Sequence, residues 1–339
     1  MKVHEKKKTR RNSLVKFAKR LFKEKPLGAI GAIIVLLLLF VGIFADILAP
    51  YGYNEANLLL RLKAPSAAFP LGTDNLGRDM LSRIIYGAQI SMIVSISAAL
   101  LSTVIATALG ACSGYFGGRF DFLLMRFVDG FMCIPSLVFM MVVIAVIGPG
   151  MVPMILILGI QGGLGGSVRI IRSAVLAIRK TLYIEAAEAM GVKAPTIIGR
   201  HVIPNVKSTI IVMFIQSMGG AIVSEATLSF LGLGIQPPMP SWGGMLSLSG
   251  RSYMLTAPWM AFWPGLCLSV SIIGINLFGD ALRDLLDPRQ QGNTLTGSVL
   301  SHSKDGIIRG FMEGFRRWEL KRKEAELKWN PEMFSKSKI

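Results

Sequence analysis

Residues Leu27 to Ala49 read LGAIGAIIVLLLLFVGIFADILA, 23 residues that carry one charge, Asp46. A helix needs about 20 residues at about 1.5 Å each to cross a hydrocarbon layer of about 30 Å. In hydrocarbon the backbone must satisfy its own hydrogen bonds, so an uninterrupted run of this length is read as a membrane-spanning helix. Its basic flank resembles that of a secretory leader, but the apolar core is too long and no small-residue cleavage site follows; it reads as a retained anchor. Five further stretches have the same character: Ile90 to Cys112, Phe122 to Ile147, Met151 to Ala174, Val206 to Phe230 and Trp259 to Leu282. The expected fold is an all-α integral membrane protein of six spans with both termini on one side.

The composition agrees. Of 339 residues 52% are hydrophobic and 17% charged, and the mean hydropathy is +0.54. A soluble domain of this size carries about a quarter charged residues. With 3 Cys and high apolar content the chain is neither disulfide-stapled nor disordered. The net charge of +17 leaves two readings, a polyanion partner or charge sorted by topology. Position decides between them. Residues 1–26 hold 11 basic and 2 acidic side chains, 167–207 hold 7 and 2, and 288–339 hold 11 and 6. Outer loop 50–88 has 4 and 3, and outer loop 231–258 has Arg251 alone. The basic segments alternate with the spans and fall on one side, which is therefore cytoplasmic. The expected organisation is a basic cytoplasmic segment 1–26, a membrane domain 27–289 with a cytoplasmic loop 175–207, and a basic cytoplasmic tail 290–339.

Much familiar chemistry is missing. There is no GxxxxGK[ST] phosphate loop, so the chain is not expected to hydrolyse ATP. His4, His201 and His302 are scattered, Cys112, Cys133 and Cys267 sit within spans, and no metal site or catalytic residue is expected. Charges inside spans are costly and draw attention. Arg126 and Asp129, three apart on one helical face, either offset each other or line a path. Glu225 has no sequence-local cation and serves as a gate or as a buried hydrogen-bonding group. Asp280, Arg283 and Asp284 close the sixth span, where interfacial pairing is expected. The cluster GIQGGLGG, Gly159 to Gly166, serves close helix packing or a hinge.

The most informative polar segment is Tyr183 to Asn205, YIEAAEAMGVKAPTIIGRHVIPN. Glu185 to Met190 favours helix, Gly191 can end it in a left-handed cap, and Pro204 precedes the next span. A short helix held between two spans can pass force from a soluble partner into the membrane. Glu185-Ala186-Ala187, Gly191 and Ile203-Pro204 resemble the EAA motif of ABC-importer permeases. Three further sets narrow the resemblance to the dipeptide/oligopeptide permease family: Pro70 to Asp74 with Gly77-Arg78-Asp79 and Leu81-Ser82-Arg83; Leu228 to Gly234 with Trp242-Gly243; and Gly279 to Asp284 with Asp287-Pro288-Arg289.

That resemblance implies a type I ABC-importer permease fold and a defined set of partners. These are a homologous second permease, two cytoplasmic ATPase subunits that hold ATP and magnesium, an extracytoplasmic binding protein, membrane lipid and a peptide substrate, with no nucleic acid and no cofactor on this chain. It makes Glu185, Ala186, Ala187, Gly191, His201 and Pro204 the ATPase-coupling residues. Arg126, Asp129, Glu225, Ser229 and Phe230 become pathway or gate candidates. Gly72, Asp74, Arg78, Asp79 and Trp242 become outer-loop contact candidates, against the plainer reading of a turn and a charge pair. Nickel complexes or glutathione are alternative cargoes. A secondary transporter working alone would lack the docking loop, and a scaffold binding nucleic acid or lipid through the basic ends would not need its charges sorted by topology. The chain departs from the family at Gln89, where many members carry Arg. It also continues for 50 residues past Arg289, including Gly306 to Lys328, whose pattern suits an amphipathic helix on an anionic leaflet, a solvated tail helix or an ATPase contact.

Overall fold

A computed structural model describes residues 18–247 and 252–286, and all regular elements within them are helices; the one extended pairing is an isolated bridge between Thr73 and Asp79. The first span is α1, Pro26–Ile43, with proline in its first turn, where no backbone donor is lost. It packs along the last helix so closely that a Cβ added at Gly28 would lie 2.0 Å from Ala281 Cβ, and one at Gly31 2.5 Å from Gly274 O. The longest element is α2, Met80–Phe116, whose 37 residues run for about 55 Å. It begins ten residues before the expected apolar core, because the Asp79 carboxylate caps it by accepting from Ser82 N at 2.8 Å.

The expected third and fourth spans are not straight. The third is α3, Gly118–Met132, and α4, Ser136–Ile147, set at 83° to each other, with Pro135 at the break. The fourth is α5, Met151–Gly163, and α6, Gly166–Arg179, bent by 45°. The polar loop carries α7, Leu182–Ala189, followed by helical turns from Ala194 to Asn205 that include a π turn at Ile198–Val202. The fifth span is α8, Lys207–Phe230; a short α9, Trp242–Leu246, follows, and α10, Trp259–Leu286, is the sixth. Among the described residues four helices cross a membrane unaided by length and composition, and six spans result if each bent pair counts as one. The expected six spans correspond to the four unbroken helices and the two bent pairs.

The outward faces remain apolar. Leu36, Leu37, Val142, Val146, Val152 and Ile273 are all exposed, as befits a surface turned to lipid. Inside, one apolar cluster joins Met80, Ile84, Met92, Ile222, Trp242 and Ile275 near the outer-loop end. A second joins Tyr115, Val128, Ile171, Val175, Ile184 and Val202 beneath α7. Part of the glycine cluster has a packing role. A Cβ at Gly159 would meet Leu101 at 2.6 Å and one at Gly163 would meet Ile105 at 2.7 Å, which is close packing on α2. Gly165 and Gly166 sit at the bend, and a Cβ at Gly166 would meet nothing. Asp284 is paired with Lys25 at 2.5 Å, tying the ends of α10 and α1 together. Residues 1–17 and the tail, with its expected amphipathic helix, lie outside the described residues.

Candidate functional site

Helix α7 is anchored on one side and bare on the other. Ile184 and Ala187, three residues apart, are buried in the second apolar cluster, and the same geometry turns Leu182, Tyr183, Glu185, Ala186 and Met190 outward. Leu182 is 83% exposed and Met190 75%, a dense apolar display for a loop in water. The helix stops at Gly191, whose φ is +74°. Gly191 N donates to Glu188 O at 2.9 Å and Val192 N to Ala187 O at 3.1 Å, the paired bonds of a Schellman cap. Val192 then packs against the same cluster as Ala187, which fixes the direction of the chain. Behind the loop, the Tyr115 ring lies beneath the Arg179 guanidinium at 5.8 Å. His201 is half-buried in the π turn and Pro204 is exposed.

The outer-loop candidates come together, but inward. Thr73, Asp74, Arg78, Asp79 and Arg83 are all buried. Asp74 accepts from Arg78 Nε at 2.7 Å and from the backbone of Leu76 and Arg78, while Arg83 Nε stands 3.5 Å from the same carboxylate. Trp259 Nε1 donates to Thr73 O at 3.0 Å, and a Cβ at Gly72 would strike that indole at 2.7 Å. Trp242 is buried, donates to Ile84 O at 3.1 Å and sits so close to Gly87 that a Cβ there would meet its ring at 2.8 Å. The Asp74 carboxylate and both indole N–H groups are committed within the chain, as a turn and charge pair, around a cavity of about 300 Å³.

Glu225 is 1% exposed on α8. Its Oε1 accepts from Ser229 Oγ at 2.7 Å, a bond one turn along the helix, and Ser229 borders that same cavity. Phe230 ends α8 and is exposed. Arg126 and Asp129 share a face and form an exposed ion pair at 3.9 Å; Asp129 also bonds Arg169 of α6, and Arg126 lies over the Phe122 ring at 5.3 Å. A stronger pair lies beside them: Asp121 takes Arg172 Nε and Nη2, each at 2.5 Å, and also accepts from Ser113 Oγ. Asp121, Arg169, Arg172 and the exposed apolar face of α7 were not singled out by sequence. The ion pairs bridge helices 40 and 51 residues apart, a separation that no local pattern reports. Among the described residues no group of three or more His, Cys, Asp or Glu is placed to hold a metal.

The profile of the binding-protein-dependent transport system inner membrane component matches residues 106–292, and that of the N-terminal TM domain of oligopeptide transport permease C matches residues 13–65. The chain is 38% identical over 270 residues to the dipeptide transport system permease protein DppC of Alkalihalophilus pseudofirmus, covering 79% of this chain and 88% of that one. It is also 38% identical over 271 residues to the glutathione transport system permease protein GsiD of Pectobacterium atrosepticum, covering 80% and 89%. Among solved structures, the MetNI methionine ABC transporter in inward-facing conformations is similar with a TM-score of 0.49 and 17% identity, over 61% of this chain and 97% of the matched one.

Proposed function

The chain belongs to the family of binding-protein-dependent transport system inner membrane components, and from that membership we propose that it is one permease subunit of an ATP-driven importer of di- and oligopeptides. In this reading an extracytoplasmic binding protein delivers the peptide. A homologous second permease completes the pathway, and two cytoplasmic ATPase subunits bind ATP and magnesium. This chain performs no covalent step. ATP shifts a two-state membrane element because it favours one arrangement of the ATPases over the other, and the shift must reach the membrane through a docked contact.

The observation that carries the reading is α7. Its apolar underside, Ile184 and Ala187, is buried in a cluster that also takes residues of α2, α3 and α6, while Leu182, Tyr183, Ala186 and Met190 are exposed beside Glu185. A partner's groove can cover those side chains, and the buried side then transmits the push. The test is reconstitution of the four-part transporter in proteoliposomes with Glu185→Lys in this chain. The expected result is peptide uptake lost while the ATPases still bind or turn over ATP; normal uptake by the variant refutes the coupling role. The purified chain alone is expected to show no ATP hydrolysis. The similarity to a glutathione system permease supports a second reading with a small tripeptide as cargo, which competition uptake assays separate from dipeptide import.

A further inference from the structure

The outer cavity is not explained by the coupling helix. Its walls bring Asp74, Arg78 and Arg83, from the first outer loop and the start of α2, against Ser229, Gln236 and Ser241 from the end of α8 and the loop that follows. Arg78 and Arg83 are each 7% exposed. Both guanidinium groups face one carboxylate oxygen, Asp74 Oδ2, at 2.7 and 3.5 Å from their Nε atoms. The other buried acid of the loop, Asp79, is turned away to Ser82 N and Oγ. Arg83 Nη1 donates to Tyr53 O at 3.1 Å. Among the described residues, neither terminal nitrogen of Arg78 nor Nη2 of Arg83 has a hydrogen-bond acceptor.

Arg78 and Arg83 thus both face Asp74, and their remaining donors border a cavity, while the buried carboxylates of Asp79 and Glu225 each keep one oxygen, Oδ1 and Oε2, without a partner. Burying a cation with incomplete pairing is unfavourable, and the cheapest remedy is an anion that accepts from the unused N–H groups. Arginine's planar fork matches a carboxylate in two-point contact. A volume of about 300 Å³ lies at the small end of ligand cavities, enough for a dipeptide or the end of a longer chain. We propose that this cavity receives the terminal carboxylate of the peptide in transit, held by Arg78 and Arg83, with Ser241 and Gln236 at its rim. The proposal rests on the peptide-import reading above. It makes this chain a selector for a free C-terminus at the outer mouth, in addition to whatever the binding protein selects.

The experiment uses the complete transporter in proteoliposomes and compares import of one dipeptide with import of its C-terminal amide. The same binding protein is present throughout, so its own preference cancels between variant and wild type. Arg83→Gln removes one cation. Gln236→Glu is the safer variant for folding, since Gln236 is exposed, bonds the carbonyls of Gly232 and Gly234 and lies outside the Asp74 network, and it adds at the cavity rim a negative charge that repels an incoming carboxylate. Both are expected to lower the acid-to-amide import ratio by about tenfold, the size of one charge-assisted hydrogen bond, while Arg83→Lys keeps most of it. A wild-type ratio in Gln236→Glu, or an equal fall in acid and amide import, overturns the proposal. So does inhibition of wild-type import by phosphate with no change of ratio in either variant, which marks an inorganic-anion site only. Failure of the wild type to import either peptide defeats the peptide-import reading itself; import of both with unresponsive ratios defeats only the carboxylate site.

Discussion

Gly191 offers a sharp test of how α7 is held. Its φ of +74° lies in the left-handed region, and a Cβ placed there would touch nothing within 4 Å. Any effect of substitution is therefore conformational, with no steric part. An L-residue other than Asn or Asp gives up about 1–2 kcal/mol in that region, equivalent to about a 5- to 30-fold shift between the capped loop and alternatives in which α7 runs on or unwinds. Asn visits the left-handed region at lower cost, and a β-branched residue is the least suited. The expected order of peptide-coupled ATP hydrolysis in the reconstituted transporter is Gly191→Asn close to wild type, Gly191→Ala reduced several-fold, and Gly191→Val lowest. Complex assembly and thermal stability should change little, because the spans are untouched. A fully active Gly191→Val, or Asn as damaging as Val, refutes the argument that the Schellman cap aims α7 at its partner.

Two further substitutions probe the frame. Trp242→Phe removes the bond to Ile84 O and should cost about 1 kcal/mol, and Trp242→Ala, which empties a fully buried site, about 3–5 kcal/mol, both read as lowered thermal midpoints of the detergent-solubilised complex. Asp121→Ala leaves the partly buried Arg172 unpaired and should cost about 2 kcal/mol, between exposed and buried pairs; the double exchange Asp121→Arg with Arg172→Asp should recover part of it, and a neutral single variant shows the pair to be dispensable.

Hydropathy located the helices well where lipid alone decides. The fifth span, expected at Val206 to Phe230, is observed at Lys207–Phe230, and the sixth extends only to Leu286 beyond the expected Leu282. It says nothing of straightness, so the turn at Pro135 was averaged into one long apolar run. It also misses Met80 to Gln89, where Arg83 is kept from lipid by the outer loop and Asp74. Helix α7 was legible because its signals are local: helix formers, a capping glycine and a following proline. Its outward apolar face was not, since Leu182, Tyr183 and Met190 look like core residues until Ile184 and Ala187 are seen to take the buried side. The outer candidates were found through resemblance, and the plainer reading of a turn and charge pair matches the pairing of Asp74 with Arg78; the approach of Arg83 to the same carboxylate was not foreseen.

The glycine cluster can now be divided by experiment. Gly159 and Gly163 have a packing reason that Gly165 and Gly166 lack. At the break, Gly165 has φ −84° and Gly166 opens α6, both conformations open to alanine. Replacing the pair by alanine should therefore stabilise the segment, by about 1–2 kcal/mol in total, through reduced backbone freedom and better helix propensity. Gly163→Val should destabilise it by forcing α5 off Ile105. If the 45° bend flexes during each cycle, the stabilised double variant will assemble, melt no lower than wild type and import peptide several-fold more slowly. The reasoning is mechanical: α6 is ion-paired to α3 through Arg169 and Arg172, and it runs into α7, so a force applied at α7 reaches the membrane partly as rotation about residues 164–165. Unchanged uptake in the double alanine variant would show that the break is a fixed corner.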